Sequence, residues 1–132
     1  MTILMQHAAW ILTVAFGLSL IYELYRATSK AGTSRHDSIH AFVVQGIPLY
    51  TLAAVVIALL FTGLEWAASV GLIFSVAMIS VSIFYYNPRI MIARQPGIID
   101  WFENLVFTGL LFVSAALLLY AMFGARVGLV LQ

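Results

Sequence analysis

The chain has 132 residues, 64% of them hydrophobic and only 8% charged, with a net charge of +1 and a mean hydropathy of +1.07. Soluble domains carry about 25% charged residues, so a water-covered globule is excluded, and the near-zero net charge leaves no basic stripe for a nucleic-acid partner. The absence of cysteine removes disulfides, thiolate metal ligation and thiol nucleophiles.

A helix needs roughly 20 mostly apolar residues to cross the hydrocarbon core of a bilayer. Four segments meet that condition, at about residues 3–25, 39–62, 66–86 and 101–123. The pattern predicts a single domain over 1–132, an all-α four-helix transmembrane bundle. The first span lacks a basic leader and a small-residue cleavage site, which predicts a retained span and not a removed signal peptide. His7, near its outer end, would need a histidine at similar depth on a facing helix to hold a haem. The other two histidines are expected at the opposite edge, so no cofactor is indicated. Glu23 and Arg26, three apart at the inner end of the span, predict a local ion pair. No charge is then left near the midplane, where ion pumps need one.

The first connection contains the stretch SRHDSIH, residues 34–40. If a helix begins at Ser34, His36 and His40 share one face at a spacing that suits a metal. Two ligands do not make a site, and a third would have to come from Asp37, Asp100 or Glu103. If the helix is capped at Asp37 or Ser38, the pair dissolves. The second span carries Gln45, Gly46 and Pro48; a proline inside a helix removes a hydrogen bond and predicts a kink, with Gln45 placed to satisfy the freed carbonyl.

The short connection at 63–65 makes spans two and three an antiparallel hairpin. Span three has small residues at helical spacing, Ala68, Gly71, Ser75 and Ser82, and Gly71-x-x-x-Ser75 is a pattern that lets two helices approach closely. Asn87-Pro88 is expected to stop this span, and Pro96-Gly97 signals a turn. Asp100-x-x-Glu103 matches a capping box with Asp100 at the N-cap and Glu103 at the third helical position. Asp100, Asn104 and Thr108 recur every four residues as one polar stripe, with Glu103 beside it and Asp37 expected at the same membrane edge. Polar groups on a span normally face protein or a water-filled cavity.

Five of the six basic residues, Arg26, Lys30, Arg35, Arg89 and Arg94, fall in the first and third connections, and only Arg126 falls on the other side. The positive-inside bias places those connections in the cytoplasm and both termini outside, in a cell membrane of the bacterial inner-membrane type. Trp10, Trp66 and Trp101, with Tyr22, Tyr25, Tyr85 and Tyr86, lie near span ends, where amphipathic rings favour headgroups. A shift of 63 residues lays Ser19 on Ser82, Tyr22 on Tyr85, Arg26 on Arg89 and Asp37 on Asp100. That pattern fits a doubled hairpin with parallel halves, although two hairpins of one topology place such residues alike without common ancestry.

With no nucleophile, no complete metal set and no midplane charge, the leading expectation is a non-catalytic membrane subunit. Such a protein packs with a larger membrane complex, or with copies of itself, and stabilises or assembles it. The alternatives are a small oligomeric channel or transporter, favoured by Pro48 and the small-residue stripe, and a cofactor- or metal-binding subunit of a membrane oxidoreductase.

Overall fold

The computed structural model describes residues 2–127, with side chains over 3–124. It is all-helical, and four helices are long and apolar enough to span a membrane: α1 (Thr2–Thr28), α2 (Ile39–Thr62), α3 (Glu65–Arg94) and α4 (Ile98–Val127). Neighbours in sequence are neighbours in space, and α4 closes the ring by packing on α1, its most extensive contact. The helices therefore run up and down around one core, as short connections require. One end of the bundle carries the start of α1, the last turns of α4 and the tight turn at Gly63. The other carries residues 29–38 and the α3–α4 turn. Arg126, the lone basic residue expected on the far side, has its side chain outside the described residues.

The core follows from the helical repeat. On α1, Met5, Ala8, Ala9, Leu12, Ala15 and Phe16 recur at spacings of three and four and are buried. They meet Leu60 of α2, Phe74 and Met78 of α3, and Leu111 and Leu118 of α4. The outward faces are equally apolar: Ile21, Ile73, Phe84 and Leu105 are each at least 69% exposed. In water such a surface would aggregate; in lipid it costs nothing.

The small residues of α3 lie inward. Ala68, Gly71, Ser75 and Ser82 are all buried. A Cβ on Gly71 would sit 2.9 Å from side-chain atoms of both Leu60 and Leu118, so any larger residue there makes both leucines shift. Ser75 and Ser82 share hydrogen bonds with Ser114 (3.2 Å) and Thr108 (3.0 Å) on α4. The stripe thus packs within the chain.

Local geometry departs from expectation at three places. First, Asn87-Pro88 does not stop the third span. The helix widens to a π form over Ser82–Met91, tightens to a 3-10 turn over Ile92–Arg94 and ends at Gln95, whose φ is 52°. A π turn, with its hydrogen bonds reaching back five residues, gives the proline ring room that a regular α-turn lacks. The loop expected over 87–100 shrinks to three residues. Second, α2 is likewise wide over Phe42–Gly46, immediately before Pro48, so the disturbance takes the form of a π turn, and Gln45 is exposed there. Third, α4 begins at Ile98, three residues before the expected start of the span. Asp100 is then not the N-cap but the third helical residue, and its carboxylate reaches back to the Gly97 N–H at 2.8 Å. Glu103 falls a turn deeper and takes no part in the cap.

Candidate functional site

Of the five acidic residues in the chain, four lie at one end of the bundle. α1 supplies Tyr22, Glu23 and Arg26, one turn of helix that points all three inward. Arg26 donates from Nε and Nη2 to the two oxygens of Asp37, at 3.1 and 2.6 Å. Asp37 is fully buried, and it is held there by a compact turn. The Gly32 N–H, at a φ of 87° that favours glycine, donates to the Asp37 carbonyl, and Ser34 Oγ donates to its carboxylate at 2.9 Å.

Arg94, at the last turn of α3, reaches across to α1. Its Nη2 and Nη1 donate to Glu23 Oε1 and Oε2 at 2.7 and 3.0 Å, and Nη1 also donates to the Tyr86 hydroxyl at 2.7 Å. Tyr86 in turn donates to Glu23 Oε2 at 2.5 Å. Arg94 Nε lies 3.0 Å from Asp37 Oδ1, within ion-pair range but off the hydrogen-bond direction, which leaves that N–H without a hydrogen-bond partner among the described residues. Asp100 accepts from the Tyr22 hydroxyl at 2.6 Å and lies 3.6 Å from Arg26 Nη1. Forked, charge-assisted bonds of this kind are the strong ones. In a buried site they are what offsets the several kcal/mol needed to strip each ion of water.

Above this network, toward the bundle centre, lies a chamber of about 420 Å³ bordered by all four helices. Glu23, Tyr86 and Arg94 form its charged floor, while Ser19, Phe42, Tyr50, Asn104 and Phe107 form much of its wall. The π turns explain the space. The main contacts between α2 and α3 are made by Ile47–Thr62 and Glu65–Val81, next to their tight turn. Toward the charged end both helices widen and part. Gln45 and Tyr85 are exposed on either side of this gap and also line the chamber.

The structure gathers part of what the sequence singles out. Asp37 and Asp100 join through Arg26, Thr108 bonds to Ser82, and Asn104 and Glu103 face the chamber. Glu103 has no hydrogen bond or ion pair among the described residues. His36 lies outside the helix, because Ser38 is the N-cap of α2 and its Oγ accepts from the Ala41 N–H at 3.0 Å. His36 and His40 therefore do not share a helical face, and no group of three or more metal-binding side chains occurs among the described residues. His36 borders the chamber. Burial, then the charges of Arg35 and Arg94, hold its pKa below the ordinary histidine value, so it is neutral at pH 7.

The expected Glu23–Arg26 pair is replaced by two long-range pairs, Glu23 with Arg94 and Arg26 with Asp37. Their shared signal was scarcity: in a chain this poor in charge, opposite charges near the same membrane edge find one another. Within the 63-residue correspondence Arg26 is buried in the network and Arg89 is exposed, whereas Asp37 and Asp100 both face Arg26. Compared with protein-family models, with curated proteins and with solved structures, the chain shows no significant match.

Proposed function

We propose that this is a small multi-pass membrane protein of the channel or transporter class, and that it takes a small molecule into the chamber at its charged end. The observation that carries this reading is the chamber itself. Ligand sites are typically cavities of about 300–1,000 Å³, mostly apolar with a few convergent polar groups, and this one has that size and lining. Its polar end is held by paired charges, so the walls are fixed before any ligand arrives. The parting of α2 and α3 toward the charged end suits entry between these two helices. The bias of basic residues supports a cytoplasmic position for the charged end, in a membrane of the bacterial inner-membrane type.

The accessory-subunit reading is the competitor, since an apolar exterior serves partner helices as well as lipid. Purification from native membranes in mild detergent, followed by intact-mass measurement, separates the two. The expected result is the chain alone or in copies of itself, carrying a small-molecule adduct. Ala41→Trp, which places an indole in the chamber wall, should lose that adduct. A stoichiometric complex with a different membrane protein, with no adduct, would favour the subunit reading instead.

A further inference from the structure

Building on the reading of the chamber as a ligand site, we propose that its ligand is an organic cation, an ammonium group carried on an apolar or aromatic body, held by the Glu103 carboxylate and the rings of Phe42, Tyr50 and Phe107. The argument begins with charge. Four acidic side chains, Glu23, Asp37, Asp100 and Glu103, lie at this end of the bundle. Arg35 and Arg89 there are exposed and do not border the chamber, and only two guanidiniums, Arg26 and Arg94, are buried with the carboxylates. Both guanidiniums are committed: Arg26 to Asp37 and Asp100, Arg94 to Glu23 and Asp37. His36, neutral at pH 7, adds no positive charge. Glu103 is half-buried, borders the cavity and has no partner among the described residues. An anionic ligand finds no unpaired cation lining the chamber, whereas a cationic one gives Glu103 the counter-charge it lacks.

The walls point the same way. Phe42 and Tyr50 stand 6.2 Å apart, and Phe16 links Tyr50 to Phe107 with centroid distances of 6.3 and 5.2 Å. Aromatic faces carry negative potential and attract cations, and quaternary ammonium groups are recognised in this way. A bare divalent metal would need several ligands at fixed geometry, and no such set is present among the described residues. An ammonium needs only the charge and the rings. The hydroxyls of Ser19 and Tyr50 satisfy each other at 2.8 Å, which leaves that part of the wall effectively apolar and suited to the body of the ligand.

The test uses two probes of equal shape, benzyltrimethylammonium and neopentylbenzene, in which carbon replaces the charged nitrogen. Binding is measured by calorimetry on the full chain in lipid nanodiscs, with empty nanodiscs as reference. The expected result is at least tenfold tighter binding of the cation, with the preference abolished in Glu103→Gln and both probes excluded by Ala41→Trp. Glu103 has no structural partner, so the Gln variant should keep its thermal stability. The comparison of the two probes on the unaltered chain stands even if that variant misfolds. Equal binding of both probes, blocked by Ala41→Trp, would overturn the cation assignment and leave the chamber reading standing. A preference that survives in a folded Glu103→Gln protein would do the same. Binding of neither probe above the empty-nanodisc background would overturn both.

Discussion

Arg94 meets a carboxylate on α1, a phenol on its own helix and a second carboxylate in the loop, all through one guanidinium. It is 3% exposed, and its removal leaves Glu23 without a guanidinium and takes one of two from the fully buried Asp37. Breaking a buried pair from one side typically costs about 3–5 kcal/mol, and Arg94→Ala should lower the unfolding free energy in detergent by that order. Arg94→Lys should recover only part of the loss, because an ammonium cannot reproduce the planar fork that holds both oxygens of Glu23. Unchanged stability in the alanine variant would show that the network holds nothing. At this scale the sequence was only half legible. Arg94 could be read as a marker of topology, because positive charge near a span end carries that information locally. Its partner lies 71 residues away, and no local pattern encodes a pairing made only when four helices close.

At the scale of the helices, hydropathy predicted the four spans well, because lipid forces every crossing segment to be long and apolar. The ends were less legible. Pro88 reads as a stop under α-helical rules, yet a π turn carries the chain past it, and hydropathy does not distinguish a wide turn from a regular one. The start of α4 was misplaced because a glycine N-cap has no side chain to advertise it. Packing was better encoded: the small residues of α3 mark its inward face, since small side chains recur where backbones come close. Gly71→Leu places a bulky group against Leu60 and Leu118, and overpacking of this kind should cost roughly 1–3 kcal/mol. A thermal melt of the purified protein checks it, and a variant as stable as the parent would mean that this contact is slack.

For the whole molecule, the up-and-down ring puts residues 29–38 and the α3–α4 turn at one end and the Gly63 turn at the other. The chain contains no cysteine, so single-cysteine variants report sidedness without background. A membrane-impermeant maleimide added outside intact cells should label Leu64→Cys and spare Thr33→Cys, both at exposed positions. The reverse pattern would invert the proposed orientation. The charge network also constrains biogenesis. Spans enter a membrane one after another and then associate, and when the first hairpin has been made Arg26 already has Asp37. Glu23 must wait for Arg94, however, and Tyr22 for Asp100. A nascent half-protein therefore carries an unquenched carboxylate at the membrane edge until α3 arrives. Residues 1–64 expressed alone should be short-lived in cells, and co-expression of residues 65–132 as a separate piece should lengthen their half-life. That rescue should fail when the second piece carries Arg94→Ala.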